Sequence, residues 1–266
     1  MSMSIPTARW LAPASFIYNL LAQTYGLLST PNMLDIHNAH ISFFSPAPFL
    51  IAPFFFTHQI IQLAFLYRLL RLNPHHPSER PQLDSMCHYV PFLALGNVCI
   101  GTWTFFWNAE QLILADACVL INTLAQTYFV AFEQAALQSR LASSVLTHLA
   151  AKTYLGLSIL DILHNTSIAF FTNEQPGLLV KVLTAFGFVL VASMSDWILG
   201  AGLVYALVAF SVGQAGYGEQ GWSVLLGVYA VVVAAVIVVK NYARPPYTSK
   251  PDDYVIAAQE DGGDQA

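Results

Sequence analysis

HLAAKTYLGLSILDILHNTSIAFF, from His148 to Phe171, is the stretch that decides the fold. At 1.5 Å per residue a helix over this run is about 36 Å long, enough to cross the roughly 30 Å hydrocarbon core of a bilayer. Its apolar course is interrupted by Asp161, His164 and Asn165. Ionisable groups at that depth are costly and mark functional sites. At about 100° per residue, Tyr154, Ser158, Asp161 and Asn165 share one sector, with His164 about 60° from Asp161.

The rest of the chain has the same character. Hydrophobic residues make up 56% of it and charged ones 9%, with a mean hydropathy of +0.56. These values point to an all-α, polytopic membrane bundle. Eight apolar runs are candidate spans: Arg9 to Thr30, Ala47 to Leu69, His88 to Asn108, Leu112 to Phe132, His148 to Phe171, Leu178 to Met194, Trp197 to Gln214 and Gly221 to Val239. Asn19, Gln23 and two tyrosines dilute the first, and only Ser195 and Asp196 separate the sixth from the seventh.

Cytosolic loops collect Lys and Arg. Eight spans put every Lys and Arg except Lys181 on one side, whereas merging the sixth and seventh would carry Lys240, Arg244 and Lys250 across. The reading is therefore a multi-pass endomembrane protein with both termini cytosolic. A bundle over residues 1–240 is followed by an acidic, solvated tail over 241–266. The net charge of -5 resides outside the apolar runs and implies no nucleic-acid partner. The N-terminus lacks the pattern of a cleaved signal.

Cys87, Cys99 and Cys118 have neither paired nor metal-type spacing. In the loop NPHHPSERPQ, His75 and His76 are adjacent and flanked by prolines, so metal ligation is not expected. Pro31 to Pro48 forms a second long connection, containing histidines, on the opposite side. The sequon at Asn165 lies inside a span, out of reach of glycosylation.

Counted from the non-cytosolic end, Asn19, His58, Asn97, Asn122 and Asp161 each fall about 15 Å deep. That pattern predicts a polar cavity walled by the first five spans and supported by the last three. Amides and histidines at such a depth also serve as interhelical hydrogen-bonding glue, whereas a carboxylate is harder to explain that way. Glu110 and Asp116 fall toward the cavity mouth. Trp103 and Trp107 share one face of the third span, Trp107 at the depth of an aromatic belt and Trp103 deeper.

GNVCIGTWTFFWNAEQL, from Gly96 to Leu112, with INTLAQTYFV from Ile121 to Val130, resembles the tryptophan-rich membrane proteins related to the translocator protein family. The likeness extends through YLGLSILDILHN and YALVAFSVG and implies binding or transport of an amphipathic ligand such as a sterol or porphyrin. In overall format, a short polytopic chain with acids in or near the membrane, the protein also resembles fungal membrane-bound terpene cyclases of the ascofuranone type. That second resemblance implies cyclisation of a lipophilic, prenylated substrate without a cofactor. The aspartate-rich motifs of soluble terpene synthases are absent, which argues against ionisation of a diphosphate.

On the cyclase reading, Asp161 is the general acid, oriented by Asn165 or His164. His58, Glu110 or Asp116 would accept the terminating proton. Trp103 would stabilise a carbocation, and Asn19, Asn97, Asn122 and Tyr154 would line the substrate site. On the binding reading, Asp161 is a polar anchor. The sequence leaves the oligomeric state open.

Overall fold

A computed structural model describes residues 3–133 and 142–243. Of the expected acidic tail, residues 244–266 lie outside the described residues, while Asn241, Tyr242 and Ala243 end the last helix. Arg140 also lies outside them, as do Arg244 and Lys250. The described chain is helical, without strands. In order the helices are α1 (Ile5–Leu28), α2 (Met33–Ala39), α3 (Pro48–Arg71), α4 (Arg80–Asn108), α5 (Leu112–Tyr128), α6 (Ala142–Phe171), α7 (Leu178–Met194), α8 (Trp197–Gly216) and α9 (Gln220–Ala243). A π-helical turn, Phe129–Glu133, extends α5.

Each of the eight apolar runs forms a helix. Six are long and apolar enough to cross a membrane: α3, α4, α5 with its π-turn, α6, α8 and α9. α1 is diluted by polar residues, and the 17 residues of α7 reach only about 26 Å. α4 starts at Arg80 rather than at His88 because Pro81 occupies its first turn, where a missing N–H costs nothing. The segment between α1 and α3 is not simply a loop. Asn32 accepts from the backbone N–H groups of Leu34 and Asp35 at 2.9 and 3.1 Å, while the Asp35 carboxylate accepts from Asn32 N–H at 2.9 Å. This capping box starts α2.

α6 is the axis of the bundle, packing on α3, α4, α5 and α8. One apolar cluster joins α1, α3, α4, α5 and α6, including Phe65, Tyr89, Leu93 and Phe129. A second joins α6 to α8 and α9 through Leu160, Leu203, Leu207, Phe210 and Trp222. Large apolar side chains such as Ile60, Leu124, Phe186 and Val231 remain exposed around the outside, as a lipid-facing surface requires.

Two close approaches fix how the halves meet. α6 crosses α8 at Gly156 and Gly202, where a Cβ on Gly202 would lie 3.2 Å from the Gly156 Cα. On α8, a Cβ on Gly213 would lie 2.5 Å from the Ser45 carbonyl oxygen and 2.6 Å from the Ala47 nitrogen. There the chain before α3 is pinned to α8 by Ala47 N–H donating to the Ala209 carbonyl at 3.0 Å. The Gln214 amide also donates to the carbonyls of Ser42 and Ser45 at 2.9 and 3.1 Å.

Gly213→Ala must therefore push backbone aside and is expected to destabilise the protein by roughly 1–3 kcal/mol or more, the usual cost of overpacking. Gly187→Ala, with nothing within 4 Å of its added methyl, is expected to leave stability unchanged. Thermal melting of the two variants in detergent checks both outcomes.

Candidate functional site

The polar groups that the sequence places at one depth separate into two packed networks and one open cavity. In the first network the Asn19 amide donates to the Asn97 carbonyl oxygen at 3.3 Å, and Asn97 donates to Gln62 Oε1 at 3.0 Å. Gln62 Nε2 in turn donates to His58 Nε2 at 2.7 Å, and His58 Nδ1 lies 3.0 Å from the Thr153 hydroxyl. Thr153 spends its proton on the Leu149 carbonyl at 2.7 Å, so His58 Nδ1 is the donor to it. This chain stitches α1, α4, α3 and α6 together.

The second network lies between α4, α5 and α6. The Tyr89 hydroxyl donates to Gln126 Oε1 at 3.1 Å, Gln126 Nε2 donates to Asn122 Oδ1 at 3.4 Å, and Asn122 Nδ2 donates to the Ser158 hydroxyl at 2.8 Å. The Tyr154 ring packs 4.5 Å from the His58 ring, and its buried hydroxyl has no hydrogen-bond partner among the described residues. Asn19, His58, Asn97, Asn122 and Tyr154 thus sit in packed interhelical contacts, apart from the cavity wall. Amides bonded across a bundle interior act as helix-to-helix links, although Asn19 Oδ1 has no partner among the described residues.

The cavity lies beside these networks, toward the end where α2 sits. It encloses about 220 Å³. Its wall combines Phe55 and Phe56 of α3, Trp103 and Trp107 of α4, and Asp161, His164 and Asn165 of α6, closed by His37 of α2. α5 takes no part, and α2, too short to read as a span, takes its place. Leu27, Leu34 and Phe56 line the cavity and are also exposed on the outer surface, so they rim a lateral mouth between α1, α2 and α3.

The wall is held by specific bonds. Trp103 Nε1 donates to Asn165 Oδ1 at 2.7 Å, and Asn165 Nδ2 donates to the Asp161 backbone carbonyl at 2.8 Å. Asn165 fixes the indole one helical turn above the acid. Trp107, placed by sequence in an aromatic belt, is instead 2% exposed. α2 folds over the end of α4, and Trp107 Nε1 donates to the Met33 carbonyl at 3.2 Å. The two indole rings lie 5.2 Å apart. Among the described residues the Asp161 carboxyl has no hydrogen-bond partner, and it lines the cavity.

The other two acids lie elsewhere. Glu110 is 57% exposed and pairs with His40 at 3.1 Å. Asp116 accepts from the Thr166 hydroxyl at 2.9 Å. Neither lines the cavity. His164, at the edge of the polar stripe in projection, instead reaches the cavity wall and makes a 3.2 Å contact with His37. His37 itself was visible only as one histidine of a long connection, because nothing local to its sequence places it against α6.

Comparisons with protein-family models, with curated proteins and with solved structures return no match for this chain.

Two outcomes follow. Gln62→Leu strips partners from buried His58 and Asn97 and is expected to cost about 1–3 kcal/mol, whereas Asp161→Asn, which breaks no hydrogen bond, should melt as wild type does. Burial also lowers the His37 imidazole from 6.5 to about 4. Between these values the unfolded chain holds the extra proton, so stability is full above pH about 6.5 and falls as the pH drops toward 4. His37→Gln should flatten that part of a melting-temperature profile.

Proposed function

We propose that the protein is a membrane-embedded, cofactor-independent cyclase that protonates an alkene or epoxide at the end of a prenylated substrate. One observation carries this reading: among the described residues the Asp161 carboxyl has no protein partner, and it lines an aromatic cavity. A buried polar group normally finds a hydrogen bond, and one left without it is available to a ligand.

The chemistry is direct. A neutral Asp161 carboxylic acid gives its proton to the terminal epoxide oxygen or alkene carbon, and the developing cation is attacked by the next double bond. The faces of Trp103 and Trp107 stabilise the cation by their quadrupoles. The Asn165 bond to Trp103 keeps that ring from following the moving charge, which is electrostatic preorganisation. The Asp161 carboxylate left by the first step takes a proton back from the cyclised cation, which ends the reaction, restores the acid and leaves a product isomeric with the substrate. An apolar wall keeps water from quenching the cation early.

Size and access suit this substrate class. About 220 Å³ is below the roughly 300–1,000 Å³ of a site that encloses a drug-sized ligand. The cavity would hold the reacting isoprene units while the remainder of the molecule extends through the mouth at Leu27, Leu34 and Phe56 into lipid. The eight-span topology with cytosolic termini belongs to the same proposal. It is supported by Arg9 donating to the Leu69 and Leu72 carbonyls, and by Lys152 pairing with Asp196 and Lys240 donating to the Ser195 carbonyl. These contacts gather basic residues at helix ends opposite α2, away from the cavity.

Expression in a heterologous host fed with farnesylated or epoxyfarnesylated phenols tests the proposal, with mass spectrometry for products of unchanged mass. Wild type is expected to form cyclic isomers, and Asp161→Asn to lose at least about 10²-fold in rate, the lower range for a positioned proton donor. A folded Asp161→Asn protein that cyclises at the wild-type rate would remove Asp161 from the chemistry. Substrate binding without any isomer would favour a non-catalytic receptor for amphipathic ligands.

A further inference from the structure

Three titratable side chains from different parts of the chain form a continuous line into the cavity. Tyr217, half-buried just beyond α8, has its hydroxyl 2.8 Å from His37 Nε2. His37 Nδ1 lies 3.2 Å from His164 Nε2, and His164 Nδ1 lies 3.2 Å from the Phe44 carbonyl. His37 is 4% exposed and His164 6%.

The carbonyl sets the direction of the whole line. Phe44 oxygen can only accept, so His164 carries its hydrogen on Nδ1 and, when neutral, has a lone pair on Nε2. His37 Nδ1–H must then donate to it. That leaves His37 Nε2 to accept from the Tyr217 hydroxyl. Tyr217 also has a second acceptor, the Pro46 carbonyl at 3.3 Å, and can release His37 Nε2 without losing a partner.

We propose that Tyr217, His37 and His164 form a proton relay joining the protein surface at the α2 end to the Asp161 carboxyl. In the inward direction Tyr217 turns to Pro46, and a solvent proton forms an N–H bond at His37 Nε2. The His37 Nδ1–H bond breaks as an N–H bond forms at His164 Nε2, and that second proton passes to an Asp161 carboxylate. In the outward direction the same bonds form and break in reverse. One proton enters for each delivered, and His37 regains its starting tautomer when its ring swings toward solvent, Nε2 giving its proton to water as Nδ1 takes one up.

The last step spans one helical turn. His164 and Asp161 are three residues apart on α6, about 5–6 Å between Cβ atoms, and both line the cavity. Burial holds the His37 imidazole at about 4, so it is neutral at rest and carries the extra proton only in transit. Among the described residues, Tyr217 beyond α8 is the titratable group bonded to the pair, and Asp161 on α6 shares the cavity wall with it. α4 presents the uncharged Trp107 ring, 5.7 Å from His164. The His40 and Glu110 pair lies at the exposed end of α2.

The relay is independent of whether the cavity cyclises a substrate or only binds one, so it is tested without substrate. Purified protein in lipid nanodiscs is transferred from H2O to D2O, and the carboxylic C=O stretch of Asp161, identified by its loss in Asp161→Asn, is followed by infrared spectroscopy. Wild type is expected to exchange within the mixing time. His37→Phe should slow exchange roughly a hundredfold, the low end of what a positioned proton-transfer group contributes, and added imidazole should restore it in His37→Ala. If the His37 variants fail to fold, Tyr217→Phe provides the same comparison at the outer link. Equal exchange in wild type and folded variants, or no carboxylic band from Asp161, would overturn the relay.

Discussion

Within a helical bundle in lipid, no bulk water reaches the polar groups between helices, so most bond to one another, and one that opens onto a cavity is free to meet a ligand. α6 carries both kinds within four turns, beside the packed, unbonded Tyr154 hydroxyl. Thr153 and Ser158 complete networks that reach α3 and α5, Asn165 holds Trp103, and His164 engages Phe44 and His37. Asp161 alone among these lines the cavity with no side-chain bond among the described residues. The aromatic wall, the lateral mouth and the closure by α2 all take their meaning from that one unpartnered carboxyl.

The second cluster of the bundle has a different character. α8 and α9 bury Leu203, Leu207, Phe210 and Trp222, and α8 meets α6 closely at Gly156 and Gly202. The connection from Ser42 to Pro48 is clamped to α8 through Gln214 and Ala209. Because Phe44 in that connection supplies the carbonyl to His164, the apolar half of the molecule sets the orientation of a polar group in the other half. A methyl at Gly213 would disturb that alignment from outside the cavity.

Much of this was legible in the sequence because membrane helices satisfy their own backbones, so apolar length alone locates them. The eight runs all became helices with boundaries shifted by up to eight residues, and the polar stripe of α6 emerged from periodicity. Depth, however, is a one-dimensional measure. It grouped Asn122 with Asp161, although rotation about α5 directs Asn122 into a network with Gln126 and Ser158. It also gave Glu110 a place at the mouth, where the chain turns outward instead, with φ at 55°. α2 was hidden for another reason. A helix of seven residues has no span-like signature, and its capping box and His37 gain significance only when it folds across α4 and α6.

On the proposed function, Asp161 is a neutral acid reached from the bilayer through the mouth at Leu27, Leu34 and Phe56. Carbodiimides test it directly, because they react with the protonated carboxyl, and a lipid-soluble reagent can reach only acids accessible from hydrocarbon. Peptide mass spectrometry after treatment of membranes with a hydrophobic carbodiimide is expected to find the adduct on Asp161, and a water-soluble, charged carbodiimide is expected to leave Asp161 unmodified while labelling exposed Glu110. Labelling of Asp161 by the water-soluble reagent alone, or by neither reagent, would contradict the account.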